Sequence, residues 1–230
     1  MSKNLIFTRA NDNIKDMCAI THPVLKKYAN RCEADFIVID KDITGLHSHW
    51  RILNIYELFN KYDRIAGIDS DVLILKKCPD IFKTVAIDSF GSIFEDKGSR
   101  LQDRRDRIKK ANIRYGDIGW KEGYINTGVF VMSKIHRNIL EYTKDTLWND
   151  LGYDDVYFGY RLRLFKYDIQ ELDYRWNHMS MFSEEWNNSP SRFDSYIIHY
   201  AGNGHVLSLD RTEQIIQDYN LLKRFDLLED

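Results

Sequence analysis

Apolar residues fall into short strand-like runs that alternate with helix-spaced series through the first third of the chain. Leu5-Ile6-Phe7 reads as a buried strand. From Asn11 to Cys32 the apolar positions Ile14, Met17, Cys18, Leu25 and Tyr28 keep helical spacing, with Asn11 or Asp12 as a cap. Pro23 is expected to kink or divide that helix, because it has no N–H and clashes with the preceding turn. Asp35 to Asp40 is a second strand, Trp50 to Tyr62 a second helix, and Arg64 to Ile68 a third strand. Strand–helix–strand–helix–strand predicts an α/β fold whose parallel sheet is covered by helices. In such sheets ligands sit beyond the carboxyl ends of the strands.

The second half is less regular. Phe90 to Phe94, Gly128 to Met132 and Tyr196 to His199 read as strands. Helices are expected near Ile135–Trp148, Val156–Phe165 and Arg211–Phe225. Between Lys97 and Arg114 lie eight basic residues (Lys97, Arg100, Arg104, Arg105, Arg107, Lys109, Lys110, Arg114) against Asp103 and Asp106. That pattern suits a solvated surface helix, and equally a lid or a site for an anionic acceptor or membrane surface.

Composition narrows the class. The 230 residues suit one domain, 1–230, with a first half to about 95, a second from about 115 to 210, and a terminal helix from 211 to 230. Hydrophobic residues at 43% and a net charge of −2 exclude a disordered polyelectrolyte. The near-neutral balance argues against nucleic acid as a partner. Apolar runs fall short of a membrane span, and Met1-Ser2-Lys3-Asn4 leads straight into a strand with no signal-peptide pattern. Cys18, Cys32 and Cys78 form neither a disulfide framework nor a zinc pattern, so a reducing, cytoplasmic setting is expected.

The chemistry concentrates at Ile68-Asp69-Ser70-Asp71-Val72. Residues two apart in extended backbone point to one side, so Asp69 and Asp71 can converge on one hard divalent cation. Two turn aspartates would look the same.

The run Asp63 to Ile74 resembles the Asp-x-Asp strand of GT-A-fold glycosyltransferases, nearest to glycosyltransferase family 8, the glycogenin and bacterial galactosyltransferase type. Four more segments follow in the family's order. Trp50-Arg51-Ile52-Leu53 is similar to the helix whose basic residue faces the donor. Tyr124 to Met132 is similar to the family's Asn-containing strand. Tyr153-Asp154-Asp155-Val156 stands where the family has Asp-Gln, and Ile197-Ile198-His199-Tyr200-Ala201-Gly202 is similar to its closing His motif. Together they span residues 3 to 205.

The resemblance implies a Rossmann-like, mostly parallel sheet with helices on both faces, and His199 as third metal ligand beside Asp69 and Asp71. Two carboxylates and an imidazole suit Mn²⁺ at least as well as Mg²⁺. It places Thr8, Arg9, Arg51, Ser70, Gly202 and His205 around a nucleotide-diphosphate sugar, and Asn126, Asp154 and Asp155 at the reacting centre. Asn126 could equally be a turn asparagine, Arg51 a surface arginine, and Asp154 with Asp155 a helix N-cap pair. Asp155 replaces the family's Gln, and would stabilise or attack an oxocarbenium-like centre. The family's diphosphate-binding Lys is missing after Gly202, where this chain has Asn203-Gly204-His205; His205 or the Lys97–Arg114 stretch would substitute. Arg175-Trp176-Asn177 also fits the family, but reads more simply as a turn around a buried Trp.

The expected activity is metal-dependent hexosyl transfer with retention, from a UDP-sugar in preference to other nucleotides, to a glycan, protein or small-molecule acceptor hydroxyl. Two alternatives remain. One is a catalytically impaired nucleotide-sugar or glycan-binding protein of the same fold. The other is an Asp-x-Asp phosphatase, disfavoured because two strand–helix units precede the motif.

Overall fold

The computed structural model describes residues 3–229; Met1, Ser2 and Asp230, the ends of the expected unit, lie outside them. The main elements are β1 (Asn4–Arg9), α1 (Lys15–Arg31), β2 (Ala34–Ile39), β3 (Arg64–Ile68), β4 (Val72–Ile74), α2 (Ile81–Thr84), β5 (Ser89–Phe94), α3 (Leu101–Tyr115), β6 (Ile125–Ser133), α4 (Tyr153–Leu164), β7 (Asp168–Glu171), β8 (Ile197–His199) and α5 (Arg211–Arg224). Six strands form one sheet in the order β2-β1-β3-β6-β5-β7, and β4 pairs with β8 in a second, two-stranded sheet.

β1 runs parallel to β2 and β3, and β5 parallel to β7. β6 runs antiparallel to both β3 and β5. Five strands therefore share one direction and β6 alone reverses it. The reversal brings the start of β6 to the same edge as the ends of β1, β3, β5 and β7.

β3 is buried at every position, as a central strand covered on both faces must be. One core packs α1, α5, β4 and β8 beneath the sheet. The other packs α3, α4 and the 48–60 segment above it. Gly67 lets the Phe130 ring lie against the β3 backbone, where a Cβ would come within 2.2 Å of it. Cys18, Cys32 and Cys78 are buried free thiols, with Cys32 pushed up to about 11 by burial. Among the described residues no helix is long and apolar enough to cross a membrane.

Several local expectations change. α1 is one continuous helix despite Pro23, since Met17, Cys18 and Thr21 before it and Val24, Leu25 and Tyr28 after it are buried together. Ser48–Asn60 winds as 3₁₀ turns instead of an α-helix. The expected helix at 135–148 is two short 3₁₀ turns, Lys134–Leu140 and Lys144–Thr146. The carbonyls of Asn138 and Glu141 accept from Arg161 and Tyr157 of α4, which take the place of helix amides. β4 and β7 are too short to stand out in the pattern.

Candidate active site

β3 ends where the buried apolar run meets Asp69. The Asp69 amide donates to Gly128 O at 2.8 Å, tying the turn to β6. Ser70 points inward, its Oγ donating to Arg9 O at 2.8 Å and lying 2.9 Å from Thr8 Oγ1. With Ser70 turned in, the flanking carboxylates project to one side. β4 then pairs with β8 and sets Val72 beside His199.

Asp69, Asp71 and His199 each offer a ligand atom within 4.8 Å of the others. His199 Nε2 lies 3.2 Å from Asp71 Oδ1 and 3.9 Å from Asp69 Oδ2. The outward oxygens are taken by cations. Arg9 Nη2 is 2.7 Å from Asp69 Oδ1, and Arg211 Nη1 is 2.8 Å from Asp71 Oδ2. Burial pushes the Asp71 carboxyl up, but His199 and Arg211 outweigh it and hold it down to about 2. Asp69 is raised, by burial and by Asp71, against the pull of Arg9.

The His199 ring is oriented by a chain of amides. Asn126 Nδ2 donates to Glu95 Oε1 at 2.6 Å, a carboxylate that only accepts. Asn126 Oδ1 must then accept, and receives Asn177 Nδ2 at 2.7 Å and the Gly128 amide at 2.8 Å. Asn177 Oδ1 is left to accept from His199 Nδ1 at 2.6 Å. The network thus places a proton on Nδ1 and turns Nε2 toward the two carboxylates, which raise the imidazole pKa against burial. Glu95 itself is buried and paired with Arg104 of α3.

Asp154 and Asp155 sit in the first turn of α4, whose N-cap is Gly152 with φ at +93°. Neither carboxylate caps the helix; both reach across to β6. Asp155 Oδ1 accepts from the Thr127 amide at 2.7 Å and from Thr127 Oγ1 at 2.8 Å. Asp154 Oδ2 is 2.6 Å from Arg9 Nη1. Arg9 therefore bridges the Asp-x-Asp turn to α4. Burial, with Asp154 and Glu95 adding to it, pushes the Asp155 carboxyl well above the usual carboxylate range.

The remaining expected residues lie farther back. Arg51 is buried, with Nη1 donating to Ala10 O at 3.1 Å and Nε 2.7 Å from Asp42. His205 Nε2 lies 3.1 Å from His199 O and its ring packs against Tyr200 and His178. Gly202 takes φ of +63° in the loop after β8. Within the basic stretch, Arg104 is buried against Glu95 and stacks over Tyr124, and Arg105 reaches Asp96. Lys109 and Lys110 remain on the surface. The stretch is thus part buttress and part solvated face.

Glu95, Asn177 and Arg211 escaped the sequence reading. Asn177 carried a signal, the Arg175-Trp176-Asn177 segment, which the buried Trp176 explained away. Arg211 carried none, since only the fold of the 202–210 loop brings the start of α5 onto Asp71.

The profile described as "Glycosyl transferase family 8" matches residues 10–205. No curated protein sequence matches the chain. Among solved structures, the fold is similar to a glycosyltransferase involved in glycosylating the major capsid of PBCV-1, with TM-score 0.63 and 14% identity over 93% of this chain and 99% of that one. It is similar to the galactosyltransferase LgtC in complex with donor and acceptor sugar analogues, with TM-score 0.53 and 13% identity over 95% of each chain. It is also similar to mouse xyloside xylosyltransferase 1, with TM-score 0.53 and 10% identity over 89% of this chain and 99% of that one. The architecture is that of GT-A glycosyltransferases, and the chain belongs to glycosyl transferase family 8.

Proposed function

We propose that this member of glycosyl transferase family 8 moves a sugar from a nucleotide-diphosphate donor, a UDP-sugar, to an acceptor hydroxyl with retention of configuration. The observation that carries this reading is the convergence of Asp69, Asp71 and His199 at the carboxyl end of the sheet, tied through Arg9 to Asp154 and through Asn177 to Asn126. The inward oxygens of the two aspartates and Nε2 of His199, once a bound cation displaces its proton, fit a divalent ion, with Mn²⁺ suiting the mixed donors. When bound, that cation neutralises charge developing on the departing diphosphate.

The chain's own residues supply the rest. Arg211, partly exposed beside Asp71, stands where a guanidinium can bind phosphate oxygens, the role expected of the missing Lys. Asp154 fixes Arg9 and Asn126 fixes the His199 relay. In the transfer, the bond from the anomeric carbon to the phosphate oxygen breaks as the acceptor oxygen bonds on the same face. The acceptor proton passes to the departing phosphate oxygen.

Two measurements follow from this reading. Incubated with UDP-galactose, UDP-glucose or UDP-xylose and Mn²⁺, the protein is expected to release UDP slowly even without acceptor. Release from none of the three would sink the UDP-sugar reading. Removing the amide that holds the ring, in Asn177→Ala, is expected to weaken Mn²⁺ binding by about 10- to 100-fold, the usual effect of losing a partner behind a metal ligand. Calorimetric titration of Mn²⁺ reads this directly, and unchanged affinity would refute the relay.

A further inference from the structure

On its core face α3 buries Arg104 together with Ile108 and Ala111. Arg104 is 8% exposed, and its guanidinium lies 5.2 Å from the centre of the Tyr124 ring. Its Nε donates to Oε2 of Glu95, one residue past β5 and 2% exposed. Beside this pair Arg105 Nε reaches Asp96, which accepts the Gly123 and Tyr124 amides at 3.0 and 2.8 Å. Two successive arginines thus moor α3 to the two residues that lead out of β5. A buried ion pair of this kind adds little stability, because desolvation offsets the attraction. Its contribution here is direction.

Each hydrogen bond between Glu95 and His199 has a donor end and an acceptor end. Arg104 stays charged and can only donate. Glu95 beside it accepts on both oxygens. Asn126 must therefore offer Nδ2 to Glu95, which leaves Oδ1 for Asn177 Nδ2; the Gly128 amide pulls Asn126 the same way. Asn177 in turn presents Oδ1 to His199 Nδ1. An imidazole that ligates a metal through one nitrogen keeps its proton on the other, and an acceptor behind that nitrogen holds it there. With both amides reversed, Asn177 would present Nδ2 to Nδ1. Nδ1 would then have to accept, and the proton would sit on Nε2, the atom that faces Asp69 and Asp71.

We propose that the Arg104–Glu95 ion pair positions the metal ligand His199 from a distance: it fixes which end of each amide donates, holds the ring proton on Nδ1 and reserves Nε2 for the cation. Arg104 is a positioning residue that acts through Glu95, Asn126 and Asn177. The assignment rests on the metal-site reading above.

Calorimetric titration of the full chain with Mn²⁺, in the presence of UDP, tests it. Arg104→Met leaves Glu95 buried without a cation, and a buried carboxyl in that position favours its neutral form, which can donate. Its Mn²⁺ affinity is expected to fall about tenfold or more, the usual loss when the support behind a metal ligand fails. A through-space effect has the opposite sign, since removing a positive charge near the site would tighten cation binding. Arg104→Lys keeps the cation and is expected to bind Mn²⁺ as the wild type does.

Glu95→Gln tests the same point without touching α3. If the new amide oxygen faces Arg104, its nitrogen meets Asn126 Nδ2, donor against donor, and Mn²⁺ binding is expected to weaken as in Arg104→Met. Adding Asn126→Asp moves the carboxylate one station along the relay. There it accepts from the amide at position 95, from Gly128 and from Asn177, and most of the affinity is expected to return. Arg104→Met or Glu95→Gln binding Mn²⁺ as tightly as the wild type would overturn the proposal, as would a double variant no tighter than Glu95→Gln. A wild type that binds no Mn²⁺ would instead overturn the metal-site reading itself.

Discussion

Asp71→Asn is expected to lower turnover by about a thousandfold or more, several kcal/mol of lost electrostatic stabilisation, with the fold intact. Asp71 is held down to about 2, so it is ionised throughout any ordinary assay range. Asn keeps an oxygen for Arg211 but removes the negative charge that a hard cation requires. Asp69→Asn acts on the other inward oxygen and should match it. Both variants are expected to keep the wild-type near-ultraviolet circular dichroism and to lose the UDP–Mn²⁺ thermal shift. Turnover near the wild-type level in either would remove the metal site from the mechanism.

The second large effect falls on Asp155. Its carboxyl is buried beside Asp154 and Glu95, and Oδ1 accepts from the Thr127 amide and hydroxyl. Burial and the two neighbouring carboxylates favour the protonated form, which can donate a hydrogen bond, the part an amide would play. Asp155→Ala is expected to reduce kcat by about 10²- to 10³-fold, the cost of one lost donor at a reacting centre. Asp155→Asn, which retains a donor, is expected to stay within about tenfold. A loss of several orders of magnitude in Asp155→Asn, with donor binding unchanged, would show an attacking carboxylate instead.

The same group leaves a mark on stability. Its folded-state pKa is raised, so its contribution is fully present below the unfolded value of about 4 and is lost as pH rises toward the folded value. Across that window the wild type binds more protons folded than unfolded and loses stability. Asp155→Asn lacks this component, so urea midpoints should show it gaining on the wild type as pH rises from about 4. A difference constant with pH would mean that Asp155 is ionised in the folded protein.

The ends of the chain's chemistry were legible because they lie in strong local patterns. Asp69-Ser70-Asp71 follows a wholly apolar run, and the buried Ser70 confirms the alternation that aims both carboxylates one way. His199 ends a strand that the structure pairs with Val72, two residues from Asp71's own neighbour Ser70. The helix at 135–148 misled because its apolar spacing is real, while its carbonyls are claimed by α4 side chains from elsewhere in the chain. Asp155 looked like a cap because Asp is common at helix starts; that α4 begins with Gly152 in a left-handed turn is a tertiary fact. Arg211 meets Asp71 across 140 positions and Glu95 meets Asn126 across 31, and neither contact has a local signature.

Everything above turns on a cation–diphosphate site built by Asp69, Asp71 and His199. Thermal stability measured with UDP, GDP, CMP and ADP, each with Mn²⁺, Mg²⁺ or EDTA, tests it most directly, because a ligand bound to the native state raises the midpoint by mass action. The midpoint is expected to rise with UDP and Mn²⁺, with EDTA abolishing the rise and Asp71→Asn lacking it. An unchanged midpoint with every nucleotide and metal pair would contradict it.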